Sequence, residues 1–113
     1  MKYILLIYGD ERIWDALGKE QMAKLYEEHR AYGEAMARAG VMRDGAELKP
    51  VAAATSVRFS KGRRTTIDGP FAETKEQLAG YYVIETESLE QALEWAGKMP
   101  GMIEGTVEVR PLA

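Results

Sequence analysis

A chain of 113 residues with 46% hydrophobic and 29% charged residues has the size and composition of one globular domain spanning residues 1–113. The lack of cysteine excludes disulfides, thiolate nucleophiles and zinc–thiolate sites, and the net charge of −3 argues against a nucleic-acid-binding surface. The single histidine, the lack of a metal-ligand motif and the lack of a long apolar run predict a cytoplasmic protein without metal, cofactor or membrane span.

The first part of the chain predicts a strand followed by a long helix. Lys2–Tyr8 is apolar at both alternating sets of positions, which indicates a strand buried on two faces. After a loop over Arg12–Gly18, in which Trp14 is expected to pack against the core, an amphipathic helix runs over Lys19–Ala39 and stops at Gly40. The apolar stripe of this helix comprises Met22, Leu25, Tyr26, His29, Tyr32 and Met36.

The middle of the chain predicts an irregular segment and then a hairpin. Val41–Ala53 contains the turn signal Asp44-Gly45 and is expected to lack regular structure. Ala54–Ser60 alternates like a half-exposed strand, Lys61-Gly62 forms the turn, and Arg63–Ile67 returns antiparallel. The cationic side chains of this hairpin, which suit either an acidic partner or solvent, are Arg58, Lys61, Arg63 and Arg64.

The segment after the hairpin begins with turn chemistry at Asp68–Phe71. Thr74–Gln77 has the spacing of a capping box, which predicts one short helical turn. From Gly80 the pattern becomes aromatic and β-branched over Tyr81–Ile84, which predicts a second strand buried on both faces.

The last part of the chain predicts a helix and a strand. A capping box at Ser88 opens the helix, which ends near Lys98, and Gly105–Arg110 alternates as a final strand. The expected core stripe of the helix is Leu89, Ala92, Leu93 and Ala96.

This element order predicts an α+β, ferredoxin-like sandwich in which an antiparallel sheet carries two helices on one face. The doubly apolar strands, Lys2–Tyr8 and Tyr81–Ile84, are expected at the centre, and the alternating strands, Ala54–Ser60 and Gly105–Arg110, at the edges.

The helix-free face of that sheet predicts a homodimer. It would expose large apolar side chains from both central strands, each worth about 1.5–3 kcal/mol when buried. Monomers rarely expose such a patch, so we expect two copies to pair sheet against sheet. The alternative is that the long loops fold over the sheet and the protein is a monomer.

Candidate site residues lie on the first helix and after the hairpin. His29, the only group with an ordinary pKa near neutrality, could act as a general acid or base, or be a buried imidazole satisfied by a carbonyl or a tyrosine. Asp68 could orient His29 or bind substrate, or only form its turn. Tyr81 and Tyr82 point to opposite faces, so one belongs to the core and the other could offer its hydroxyl to a pocket.

Charged residues of the following loop complete the candidate set. Glu73, Lys75 and Glu76 lie close together and could contact a ligand or form a solvated turn.

The nine residues of Asp68–Glu76, DGPFAETKE, resemble the name-giving motif of the DGPF (DGPFAETKE) family within the YCII-related proteins. The resemblance extends through Tyr3–Asp10, Gly80–Glu85 and Val107–Pro111. It implies a ferredoxin-like fold of the dimeric α+β barrel type, in a family largely of unknown function.

In the YCII proteins a histidine on the first helix and an aspartate near the end of the second helix are proposed as a catalytic pair. The resemblance places His29 at the histidine, but Met99 stands at the aspartate. Either Asp68 replaces that aspartate, or the acid–base chemistry is not retained. Members also resemble modules joined to, or associated with, sigma-factor-like transcription proteins.

Two functional hypotheses follow. The first is a homodimer with a pocket per subunit, bounded by the first helix, the sheet and the loop 68–77, that binds a small polar metabolite with metal-free acid–base chemistry. His29 would transfer the proton, Asp68 would orient it or anchor the ligand, and Tyr81 or Tyr82 would donate a hydrogen bond. The second is a non-catalytic interaction module that contacts a sigma-factor-type transcription protein through the basic hairpin.

Overall fold

The computed structural model describes residues 1–113 as an α+β fold built on a four-stranded antiparallel sheet. The strands lie in the order β2-β5-β1-β6, which is the ferredoxin-like arrangement that the sequence predicts. The elements are β1 (Lys2–Gly9), α1 (Glu11–Asp15), α2 (Lys19–Arg38), β2 (Met42–Glu47), a 3-10 turn (Val51–Ala53), β3 (Thr55–Ser60), β4 (Arg63–Asp68), β5 (Gln77–Glu85), α3 (Leu89–Gly97) and β6 (Gly105–Pro111). None of the helices has the length and apolar character needed to cross a membrane.

One face of the sheet carries the core. Successive side chains of a strand point to opposite faces, so β1 directs every second residue toward the helices. These residues and Ile84 of β5 pack against α2 and against the α3 region, which confirms that both long helices lie on one face. The buried apolar core consists of Tyr3, Leu5, Ile7, Tyr32, Met36, Ile84, Ala92 and Met99.

Local sequence signals define the helix ends. After α2, Gly40 has a positive φ of 76° and its N–H bonds the carbonyl of Ala37, while the Val41 N–H bonds that of Met36. This pair of bonds is a Schellman motif, for which glycine is favoured. At the start of α3 the Ser88 hydroxyl accepts a bond from the Gln91 N–H, as the capping-box pattern predicts.

The second strand of the sheet is not the one that the sequence predicts. Met42–Glu47, expected to be irregular, is β2 and pairs antiparallel with β5 at the edge of the sheet. Asp44-Gly45, read as a turn, lies within this strand, and a register shift occurs between Met42 and Asp44. The pattern was misleading because this short edge strand contains no β-branched residue and is stabilised by backbone pairing with β5.

Strands β3 and β4 form a separate hairpin and are not an edge of the main sheet, so the predicted position of Thr55–Ser60 is wrong. The turn itself is confirmed, since Lys61 and Gly62 both have positive φ, at 51° and 75°. The radius of gyration is 15.9 Å, against about 13 Å for a compact chain of this length. The hairpin therefore extends from the body, with Phe59 76% exposed.

Two smaller expectations are also corrected. The predicted loop Arg12–Gly18 begins inside helix α1, and Trp14 packs against the core as expected. Thr74–Gln77 forms no helical turn, because the Gln77 side chain bonds the Thr74 carbonyl and β5 already begins at Gln77.

In α3 only Ala92 of the expected stripe is fully buried. Leu89 and Leu93 are 49% and 50% exposed, because the short helix contacts the sheet over a narrow strip.

Candidate functional site

A cavity of about 460 Å³ lies on the helix-bearing side of the sheet. Its walls come from α1, α2, β2 with the residues that follow it, β5, and the turn at Pro100 and Gly101. Two glycines keep the strand wall open. A Cβ at Gly45 would lie 2.8 Å from Cδ1 of Tyr82, and one at Gly80 would lie 2.8 Å from the Ala46 carbonyl oxygen. Side chains at these positions would displace the neighbouring strand or the Tyr82 ring.

His29 and Tyr82 meet inside this cavity. His29 lies on the sheet-facing stripe of α2, and Tyr82 pairs with Leu5 on the helix-bearing face of the sheet. The Tyr82 hydroxyl oxygen is 2.8 Å from His29 Nδ1, and the two rings are nearly parallel at an interplanar angle of 13°. Tyr32 contacts the Tyr82 ring edge-on and bonds the Trp95 carbonyl, so the aromatic pair is held from behind.

Burial favours the neutral form of His29. Desolvation lowers the pKa of His29 from its ordinary value of 6.5, and the charges of Glu47 and Glu28 and the Pro100 carbonyl partly oppose this effect. Burial also raises the pKa of Tyr82, so its hydroxyl stays protonated. When the protonated Tyr82 hydroxyl donates to Nδ1, the neutral ring carries its own proton on Nε2.

A second hydrogen-bonded pair, Tyr26 and Glu47, joins α2 to β2. The Tyr26 hydroxyl donates to Oε1 of Glu47 over 3.1 Å, and this bond to a carboxylate raises the pKa of Tyr26. Both residues line the cavity, and neither was predicted from the sequence as a site residue. The position of Tyr26 three residues before His29, on the same helix face, was the available signal. Glu47 offered none, because its strand was not recognised.

The structure separates most of the residues that the sequence grouped together. Asp68 ends β4 on the exposed hairpin, and Asp68, Glu73 and Lys75 do not line the cavity that contains His29. Tyr81 pairs with Leu6 on the helix-free face, which confirms that Tyr81 and Tyr82 point to opposite sides.

Met99, at the position where the resemblance implies an aspartate, is a buried core residue. The group at hydrogen-bond distance from His29 is therefore the Tyr82 hydroxyl, and not the carboxylate of Asp68.

The lowered pKa of His29 predicts a dependence of stability on pH. Between that pKa and 6.5 the unfolded chain binds more protons than the folded chain, so the free energy of unfolding is expected to fall as the pH drops below 6.5. Tyr82→Phe should raise the pKa of His29, because the neutral ring loses the donor to Nδ1. Urea unfolding at several pH values measures the free energy of unfolding. NMR titration of the imidazole measures the pKa of His29 in the wild type and in Tyr82→Phe, with Tyr8→Phe on the helix-free face as control. A wild-type midpoint at or above 6.5 would contradict the assignment.

Comparison with known proteins places the chain in a sequence family. The model of the YCII-related domain matches residues 1–113, the full length. An uncharacterised protein of Rhizobium meliloti (strain 1021) is 40% identical over 115 residues, which covers 100% of this chain and 93% of that protein.

Proposed function

The chain belongs to the YCII-related family, and we propose that it binds a small polar molecule in the cavity and that His29 and Tyr82 exchange a proton with it. The observation that carries this proposal is the 2.8 Å contact between the Tyr82 hydroxyl and His29 Nδ1 within a cavity of about 460 Å³. Small-molecule sites commonly have such a volume, with few polar groups among apolar walls.

The arrangement suits general-base chemistry. The Tyr82 oxygen has lone pairs that can accept a proton from an acidic X–H group of the ligand. As the ligand loses its proton to this oxygen, the Tyr82 proton moves to His29 Nδ1 and the ring becomes an imidazolium. The nearby Glu47 carboxylate, which favours the charged ring, stabilises that state. Return of the proton to the ligand restores the neutral pair.

The proposal is tested by screening metabolites for shifts in the NMR signals of His29, Gly45 and Gly80, and then measuring how fast a carbon-bound acidic proton of the ligand exchanges with solvent deuterium. His29→Gln is expected to slow exchange by about 10²–10⁴-fold, the usual contribution of a general acid or base. Tyr8→Phe, which removes a hydroxyl outside the cavity, should leave exchange unchanged. Equal exchange rates in wild type and His29→Gln would refute the proton-transfer role.

We also propose that two copies pair through their helix-free sheet faces. On this face β1 and β5 present a continuous apolar surface. The β6 residues that pair with β1 on this face are polar, namely Thr106, Glu108 and Arg110. The half-buried apolar residues of this face are Ile4, Leu6, Tyr8, Tyr81 and Val83.

A competing proposal is a non-catalytic interaction module acting with a sigma-factor-type transcription protein. The observation that favours it is the hairpin β3–β4, which stands apart from the main sheet and carries four cationic side chains beside exposed Val57 and Phe59. A sigma factor that co-purifies with the wild type and is lost when Arg63 and Arg64 are changed to glutamate would support this function. Retention after the charge reversal would contradict the hairpin as the contact.

A further inference from the structure

The cavity that contains His29 has a negative wall. Its charged lining residues are Glu11, Asp15 and Glu47, and no lysine or arginine lines it. The arginines on neighbouring elements are paired elsewhere, Arg12 with Asp10 and Arg30 with Glu27 and Glu34. These pairs leave the cavity without a compensating cation.

The lysines near the cavity also stay outside it. Lys24 on α2 and Lys49, which follows β2, are exposed and do not line the wall. An anionic ligand would therefore meet only like charges, whereas a cation would be attracted.

The carboxylates retain capacity for a ligand. Glu11 accepts one bond through Oε2 from the Val51 N–H, and Glu47 accepts one through Oε1 from the Tyr26 hydroxyl. Each carboxylate has a second oxygen and further lone pairs. An ammonium group, which has only donors, complements such acceptors.

Aromatic rings complete the wall. Trp14 and Tyr26 both line the cavity, and the Trp14 ring is held in place by its indole N–H, 3.4 Å from the Gly101 carbonyl, and by close packing on Gly9. The faces of aromatic rings attract cations, and tryptophan does so most strongly. Half of the eighteen lining residues are hydrophobic, so the wall also suits an apolar body.

From this wall we infer that the ligand is a small organic cation, an amine with an apolar body, and not a carboxylate or a phosphate. The inference rests on the function proposed above, since it names the ligand class of the same cavity. The ammonium group binds the carboxylates and the aromatic rings of the wall.

Three probes of similar shape and different charge test this inference: phenethylammonium, phenethyl alcohol and hydrocinnamate. Binding is measured near neutral pH and low salt through the NMR signals of Gly45, Gly80 and the Trp14 indole. The ammonium probe is expected to bind about tenfold or more tightly than the carboxylate, and to lose affinity as salt screens the carboxylates.

Charge-neutralising variants locate the effect. Asp15→Asn and Glu47→Gln should each weaken binding of phenethylammonium by about three- to tenfold. Glu94→Gln, which removes the same charge from the exposed surface of α3, is the matched control and should change nothing.

The possible failures are distinguishable. If hydrocinnamate or phenethyl alcohol shifts the cavity signals and phenethylammonium does not, the ligand class is wrong while the cavity remains a binding site. Equal effects of Glu94→Gln and Asp15→Asn would likewise overturn the ligand class. If no probe and no screened metabolite shifts any lining residue, the proposed function itself fails.

Discussion

Leu5→Ala is expected to lower the free energy of unfolding by about 3 kcal/mol, the midrange for truncating a fully buried leucine. Leu5 has no exposed surface, lies on the central strand β1, and pairs with Tyr82 on one side and Val109 on the other. The backbone of a central strand cannot collapse into the space, so the cavity remains. The buried apolar core has only eight residues, so each of them contributes a large share of it. Urea unfolding measures the change.

Leu93→Ala is the matched control for this prediction. Leu93 lies on α3 and is 50% exposed, so the same truncation removes little buried surface and replaces leucine with a good helix former. We expect a change below about 1 kcal/mol. A loss as large as that of Leu5→Ala would show that α3 packs on another surface through Leu93.

Leu6→Glu is expected to convert the proposed homodimer into monomers. Leu6 lies at the centre of the helix-free face, between Tyr81 on β5 and Glu108 on β6. A carboxylate there would lie opposite Glu108 and lose its hydration against the partner, and the two-fold symmetry would apply this penalty twice. Dimerisation should weaken by about a hundredfold or more. Sedimentation equilibrium at micromolar concentration measures the mass of wild type and variant.

Leu93→Glu serves as the control for the dimer. It adds the same charge to an exposed position of α3 and should leave the mass unchanged. A wild type that sediments with the mass of a single chain would refute the pairing. A Leu6→Glu variant that remains dimeric would place the interface elsewhere, with the exposed leucines of α3 as the first alternative.

The candidate site was only partly predictable. His29 could be selected because it is the single histidine and occupies the buried stripe of α2. Because the side chains of a strand alternate between its two faces, the sequence predicted that Tyr81 and Tyr82 lie on opposite faces of the sheet. Asp68 was associated with His29 because it begins a prominent sequence motif. Nothing in the sequence indicated that the two side chains lie close together. In the structure that motif follows the hairpin, outside the cavity that contains His29.

Glu47 and Gly45 illustrate what periodicity could not detect. Their strand has no apolar alternation and is defined by hydrogen bonding to β5, whose residues lie more than thirty positions later in the chain. Gly45 resembles a turn residue in the sequence, but its function is to let the Tyr82 ring approach the backbone. A long-range contact of this kind leaves no mark on the residues immediately around it.

The amino-acid sequence alone determined the elements that depend on neighbouring residues: the long helix with its glycine stop, the capping box of the last helix, the Lys61-Gly62 turn and the two apolar central strands. Capping, turn conformation and side-chain alternation act over a few residues, so they can be read along the chain. Only the tertiary structure decided which segment completes the sheet, that Tyr82 meets His29, and that carboxylates line the cavity. These outcomes depend on backbone pairing and packing between distant segments, where many arrangements satisfy the same local pattern.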